Sequence, residues 1–473
     1  MKVLMLSSES VPFSKSGGLA DVVGDLSARL ANLSCDVRVM LPAYNMTPEN
    51  AGEFASKITV RILGGEHEME IRQQKIGKVI FYFLIDPVFC NRRGIYGDTS
   101  FEPYPDNFRR FMLLNKAAMA FCLQIGWMPD IFHCHDWTAG LLPYFISKDT
   151  TGAFSRSRTL FTIHNLAYQG EFPKIEFINC MDETDRDLFF RDNINMMRCG
   201  LVYSDYINTV SPTYALEIQG HEQGFLMETV LQRRQDRLSG ILNGIDTEAW
   251  NPETDPLLPF HFSTSDMDGK AKIKSLVQGR FRLPQNPEAP LFVMVTRLAW
   301  QKGIEETLEA LPRLLANGKN QFLIIGTGDR KYEDMLKGLE LKHPNLSANM
   351  IFSNEAAHLA EAAGDFFLMP SHYEPCGLNQ MYSLRYGTIP IAHRTGGLAD
   401  SIVDYETNEG KGNGILIDKV SDDSIIEAVA RASKLYSTPQ LNKIRENAMK
   451  CDFSWDSSAR KYLKLYRKIK EGR

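Results

Sequence analysis

Short apolar runs alternate with longer amphipathic stretches along the whole chain. In the first half, Lys2–Ser8, Asp36–Tyr44, Lys78–Ile85, Asp130–Cys134, Thr159–Ile163 and Tyr206–Val210 read as strands. In the second, Leu291–Thr296, Gln321–Ile325, Met350–Ser353, Asp365–Pro370 and Thr388–Ala392 do. Their near-continuous apolar character suits parallel strands buried on both faces. Between them lie helical patterns, the first placing Leu19, Val22, Val23, Leu26 and Leu30 at spacings of three and four. This alternation predicts an α/β fold of doubly wound sheets. After Gly240–Asp246 the chain turns polar and Pro-rich with few periodic apolar positions, which predicts an interdomain crossing. Near the end, Trp455, Ala459, Tyr462, Leu463, Tyr466 and Ile469 share one face of a helix whose other face is basic. The expected division is 1–245, 246–454 and a C-terminal helix over 455–473.

Composition narrows this picture. A chain of 473 residues exceeds one compact core. With 44% hydrophobic and 23% charged residues it reads as an ordinary globular protein. Its net charge of −5 gives no reason to expect nucleic acid, so any anion site must be local. The eight cysteines (Cys35, Cys90, Cys122, Cys134, Cys180, Cys199, Cys376 and Cys451) form no C-x-x-C pair, against a zinc site or a disulfide framework. No apolar run reaches the length of a membrane span, and the first is too short for a signal peptide. The expectation is a reduced, cytoplasmic enzyme without a membrane partner.

Candidate chemistry sits at the strand ends. Lys15-Ser16-Gly17-Gly18 follows the first strand and would suit either a plain helix N-cap loop or a phosphate site, since glycines let a backbone approach a phosphate closely while lysine supplies charge. The same pattern, Ser16-Gly17-Gly18-Leu19-Ala20-Asp21, is echoed by Thr395-Gly396-Gly397-Leu398-Ala399-Asp400, with Lys15 and Arg394 before them. Each predicts a helix start aiming unpaired N–H groups and the helix dipole at an anion. Arg297 ends another strand and Lys302 follows five residues on, which would suit either a solvated surface pair or cations that neutralise a diphosphate leaving group. Glu374 lies past a strand end on a turn set by Pro375 and Gly377. There it could bond sugar hydroxyls or cap the next helix. His164 and Asn165 close the strand Thr159–Ile163, and a sugar hydroxyl or a structural role would both suit the histidine.

Three other patterns carry less. His133-Cys134-His135-Asp136-Trp137 looks like a metal cluster, but successive strand residues point to opposite faces and do not converge as a set. Asp136 and Trp137 read as site-edge residues instead. Asp266-Met267-Asp268 resembles a metal-binding D-x-D away from any strand end, and Gly326-Thr327-Gly328 lacks the third glycine of a dinucleotide fingerprint because Lys331 stands there.

Taken in order, these motifs resemble the bacterial glycogen synthases and plant starch synthases. The resemblance runs over Lys15–Asp21, His135-Asp136-Trp137, Phe161–Gly170, Val210–Tyr214, Ile241–Asp246, Arg297 with Gln301-Lys302-Gly303, Glu374–Leu378 and Arg394–Asp400. It implies a GT-B fold, two Rossmann-like domains facing a central cleft, with the C-terminal helix crossing back to the first. The first domain would serve the acceptor and the second the nucleotide sugar. Lys15, Gly17 and Gly18, with Asp21 in the same loop, would face the donor's phosphate and glucose. Arg297 and Lys302 would hold the diphosphate. His164, Asn165, Asn243, Glu374, Cys376, Gly377 and Leu378 would surround the glucose, and Tyr96 and Asp136 would lie towards the acceptor. The backbone of Thr395, Gly396, Gly397 and Leu398 would meet phosphates and ribose. The implied reaction is metal-free, cofactor-free, retaining transfer from ADP-glucose to an α-1,4-glucan.

Two positions depart from relatives. Tyr382 stands where related GT-B enzymes carry a second glutamate, a substitution usual in the glycogen synthase group. In Phe352-Ser353-Asn354-Glu355, serine stands where bacterial relatives place an aromatic ring to stack on adenine, which keeps UDP-glucose open as donor. The rivals are an NAD-dependent oxidoreductase, opposed by the broken Gly326 fingerprint; a non-catalytic glucan-binding protein, opposed by the intact charged residues; and a glucan phosphorylase, whose longer chain and pyridoxal motif are not matched.

Overall fold

A computed structural model describes residues 1–46, 50–63, 65–98, 102–178, 188–408 and 410–472. Cys180 lies outside these residues; the other seven cysteines are free thiols. The chain forms two compact units, Met1–Gly244 with Trp455–Arg473, and Ile245–Ser454.

The first unit is built on a nine-stranded sheet. Seven strands run parallel in the order Leu238–Gly240, Tyr206–Thr209, Arg158–Ile163, Ile131–His135, Lys2–Leu6, Asp36–Pro42 and Val79–Ile85. Both faces of the first strand are covered. Leu4 and Leu6 pack into one core cluster, while Val3 and Met5 pack into another. The chain winds outwards both ways from the Lys2–Leu6 and Ile131–His135 pair, so the switch of strand order falls there. A hairpin of Glu53–Ile62 and Gly65–Ile76 extends the sheet antiparallel. Here Ile58, Val60, Met69 and Ile71 are buried and alternate with polar residues. A small separate sheet pairs Glu171–Pro173, Asn193–Asn195 and Phe189–Phe190.

Helix Trp455–Lys470 belongs to this unit. Trp455, Ala459, Tyr462, Tyr466 and Ile469 join the core cluster of Val3 and Met5. Inside it, the Tyr466 hydroxyl lies 2.8 Å from His133 Nδ1, and Asn208 Nδ2 donates to the Tyr462 hydroxyl at 3.0 Å.

The second unit has six parallel strands in the order Leu346–Asn349, Gln321–Ile325, Leu291–Val295, Phe366–Met369, Ile389–His393 and Ile415–Ile417. Again both faces are buried, Phe292 and Met294 on one side and Leu291 and Val293 on the other. Its order switches between Leu291–Val295 and Phe366–Met369. Each unit is thus Rossmann-like, and the fold is of the GT-B class.

Two expectations are corrected. The strand expected at Met350–Ser353 is Leu346–Asn349 instead; the later residues lead into helix Asn354–Ala363, which Ser353 caps by accepting from Ala356 N. The polar stretch after Asp246 contains helix Asp268–Arg280. Its buried positions include Lys270, Lys274 and Gln278, so the helical period is present but written in polar residues. Lys270 Nζ donates to Ala362 O, Tyr386 O and Thr388 Oγ1, and Lys274 pairs with Asp365 at 2.8 Å. Complete partnering is what makes such burial tolerable.

Candidate active site

In the second unit, the candidate residues collect at the switch point, where open α/β sheets bind ligands. A cavity of about 190 Å³ is lined there by Arg297, Lys302, Ser371, Glu374, Gly377 and Leu378, among others. Gly303 takes φ +67, and a Cβ on it would lie 2.0 Å from Pro370 O. Only glycine permits that approach, and it brings Lys302 against the segment after the Phe366–Met369 strand. Lys302 Nζ donates to Glu374 Oε2 at 2.6 Å, and Ser371 Oγ donates to the same oxygen at 3.1 Å. Glu374 is 6% exposed, so its charge is held by these two donors. Arg297 is exposed and bonds only loosely to Gln301 Oε1, at 3.4 Å. Gln301 in turn donates to Tyr373 O and accepts from His372 N through its own carbonyl.

Thr395–Leu398 interlocks with the Glu374–Cys376 turn. Gly397 N donates to Glu374 O at 3.1 Å. A Cβ on Gly396 would meet Glu374 O at 2.0 Å, and one on Gly397 would meet Cys376 O at 2.0 Å. The two glycines therefore serve first as a docking surface for the turn that carries Glu374.

The first unit gathers its candidates at its own switch point, through a residue that sequence reasoning missed. Glu9, 2% exposed, accepts from Ser16 N, Ser16 Oγ, Gly17 N and the Tyr96 hydroxyl. The Gly17 amide, which the resemblance turns towards a phosphate, donates to Glu9 at 3.2 Å in this structure. Glu9 offered no sequence signal beyond its place after the first strand. Lys15 and Asp21 form an exposed ion pair at 2.8 Å, and Gly17, not Ser16, caps the following helix. Tyr96 also bonds Ser8 Oγ at 2.8 Å, so it is tied to the Lys15 loop through Glu9.

Asp136 follows the Ile131–His135 strand with a positive φ, +54, and an extended ψ, −174, a combination uncommon for a residue with a Cβ. Its carboxylate accepts from His164 N at 2.7 Å and Asn165 N at 3.4 Å, fixing the end of the neighbouring strand. Desolvation pushes its pKa up to about 7; the two amide bonds oppose the rise and the Glu9 charge adds to it. His164 Nε2 lies 3.0 Å from His135 Nδ1, and the His133 and His135 rings are 4.0 Å apart. Burial holds all three imidazoles neutral, lowering His133 and His164 to about 3 and His135 well below the ordinary value. These histidines do share a face, two residues apart, which the expectation about successive residues did not address. Among the described residues no group of His, Cys, Asp or Glu is arranged to hold a metal ion. Asn243 stands apart on the segment leading out of the unit, 5% exposed, with Oδ1 unpartnered.

Outside these clusters, Tyr382 stacks on Trp250 at 3.7 Å, and His358 covers the other ring contact at 3.7 Å. Phe352 is 95% exposed.

The starch synthase catalytic domain family matches residues 2–233, and the glycosyl transferases group 1 family matches residues 278–450. A glycogen synthase from Myxococcus xanthus is 42% identical over 98% of this chain and 99% of its own. The chain belongs to the glycogen and starch synthase family. A second member, from Treponema denticola, is 40% identical over 98% of both chains. The catalytic domain of starch synthase IV from Arabidopsis thaliana, solved bound to ADP and acarbose, superposes with a TM-score of 0.88 at 30% identity, covering 99% of each chain. Sucrose-phosphate synthase from Thermosynechococcus elongatus shares the fold alone, with a TM-score of 0.61 at 16% identity over both full chains. As a family member this chain is an enzyme, a glucosyltransferase of glucan synthesis. Among the described residues no helix is long and apolar enough to cross a membrane.

Proposed function

We propose that the chain transfers glucose from ADP-glucose to the end of an α-1,4-glucan, retaining anomeric configuration and releasing ADP. One observation carries the reading: Arg297, Lys302 and Glu374 line one cavity at the switch point of a doubly wound unit. Cations preorganised there suit a diphosphate that gains charge as the donor bond breaks. A diphosphate would draw the Lys302 ammonium from Glu374, leaving that carboxylate to face positive charge at the anomeric carbon. Front-face displacement through an oxocarbenium-like transition state follows, the departing diphosphate helping to take the acceptor hydroxyl's proton. Lys15, Gly17, Gly18 and Asp21 are assigned to the donor side of the same reaction. His164, Asn165, Asn243, Cys376, Gly377 and Leu378 are assigned to the glucose, Tyr96 and Asp136 to the acceptor, and Thr395 to Leu398 to phosphate and ribose. The ADP and acarbose bound by the Arabidopsis relative support an adenine nucleotide and a glucan as ligands. No metal takes part in this scheme, so a chelator should leave turnover unchanged.

One observation favours UDP-glucose as donor instead: Ser353 caps a helix and brings no ring to a base. Offering ADP-glucose and UDP-glucose separately with a glycogen primer, and following nucleotide release and chain growth, tests both readings. Faster transfer from ADP-glucose is expected; equal rates remove the preference, and no transfer from either removes the function.

A further inference from the structure

We infer that His135 is a positioning residue that holds His164 in the tautomer protonated on Nδ1, so that His164 meets the sugar as a hydrogen-bond donor. The inference rests on the role proposed above for His164 and extends it to a buried residue that touches no substrate.

The geometry leaves two ways to make the His135–His164 bond. A neutral imidazole carries one N–H and one lone pair, so each choice fixes both rings. In the first, His164 donates from Nε2 to His135 Nδ1. His135 then keeps its proton on Nε2, an atom that is buried and has no partner. In the second, His135 donates from Nδ1 to His164 Nε2, and the orphan is a lone pair rather than an N–H. Orphaned buried N–H groups are the rarer and costlier of the two. The second arrangement therefore prevails, and it forces the His164 proton onto Nδ1.

That nitrogen is the one left for a ligand. His164 is half-buried, its Nε2 is held by His135, and its main-chain amide is held by Asp136. The His135 ring is fixed in place by the His133 ring packed 4.0 Å away. His133 is itself bonded on both sides, to the Tyr466 hydroxyl and to Thr162 Oγ1. Burial keeps the whole set uncharged at neutral pH, so no proton is available to make His164 a donor on both nitrogens. Free imidazole side chains in water favour the proton on Nε2, so the arrangement reverses the default.

The test is a two-bond ¹H–¹⁵N correlation spectrum of the full chain labelled with ¹⁵N-histidine. His164 is assigned by the signals lost in His164→Ala. The expected pattern shows Nδ1 protonated and Nε2 as the acceptor; protonation on Nε2 in the wild-type chain overturns the inference without any further variant. In His135→Leu, the His164 pattern should shift towards Nε2–H and kcat should fall about tenfold or more, with donor KM changing less. His135→Asn, whose amide reaches the Nδ1 position, should restore most of that loss. An unchanged tautomer in His135→Leu, or no rescue by asparagine, overturns the positioning role. Full turnover in His164→Ala would instead remove the proposed role of His164 while leaving its tautomer readable, so the two failures are distinguishable.

Discussion

Ser16-Gly17-Gly18-Leu19-Ala20-Asp21 and Thr395-Gly396-Gly397-Leu398-Ala399-Asp400 share one residue pattern, yet different parts of a glutamate grip them. In the first unit the Glu9 side chain collects the loop's N–H and O–H groups. In the second the Glu374 main-chain carbonyl accepts from Gly397 N, and its carboxylate accepts from Lys302 and Ser371. The glycines differ accordingly. A Cβ on Gly17 would meet nothing within 4 Å, and φ −156 suits any residue. Those on Gly396 and Gly397 would strike carbonyl oxygens at 2.0 Å. The lesson is that a shared motif brings a helix start, capped at Gly17 in the first unit but one pattern position earlier at Thr395 in the second, without fixing the reason for its glycines.

The comparison is broken most directly by Gly397→Ala. With backbone as the obstacle, it should destabilise the second unit by at least about 3 kcal/mol and abolish turnover. Urea denaturation with an activity assay reads both. Next comes Lys302→Ala, which should lower kcat at least about a hundredfold, equivalent to roughly 3 kcal/mol in the barrier, while the melting temperature moves by only a few degrees. Near wild-type turnover would remove Lys302 from the mechanism. Glu9→Gln keeps the shape but removes the charge from several hydrogen bonds, and should cost about 1–3 kcal/mol in the first unit alone. Gly17→Ala is the smallest, within about 0.5 kcal/mol by the same denaturation curve.

Acid separates the units in another way. His133, His135 and His164 have folded-state pKa values below the unfolded value, so the stability they supply is present above about pH 6.5 and lost as pH falls, towards about 3 for His133 and His164. Asp136 works oppositely: its raised pKa means its contribution is lost as pH rises through about 7. In the second unit, Asp365 is lowered by Lys274 and Arg445 against desolvation, so its contribution disappears only below the ordinary carboxylate range. Hydrogen exchange, corrected for intrinsic rate, should show strand Ile131–His135 losing protection between pH 6.5 and pH 4 before strand Leu291–Val295 does.

Much of this architecture was legible because parallel strands buried on both faces are written as apolar runs, as in Leu291–Val295. The hairpin Glu53–Ile76 escaped notice because its outward residues, Glu66, Glu68 and Glu70 among them, interrupt the continuous apolar run by which the doubly buried strands stand out. Strand Leu346–Asn349, at the sheet's edge, carries two polar residues out of four, so its apolar signal slid onto the exposed Ile351 and Phe352. Helix Asp268–Arg280 hid its period in lysines whose partners lie about a hundred residues away, information that no local window holds. At the site, Arg297, Lys302 and Glu374 stood out as charges at strand ends. Glu9 and the His135–His164 bond did not, because each depends on which strands become neighbours.

The return of helix Trp455–Lys470 has a consequence for biosynthesis. A ribosome must complete the whole of 245–454 before the nine-stranded unit receives the side chains that close one of its faces. Until then the surface around Val3 and Met5 stays wet and His133 lacks its tyrosine. Nascent chains halted before Trp455 should therefore be the form that chaperones hold, however well the inserted unit has already folded.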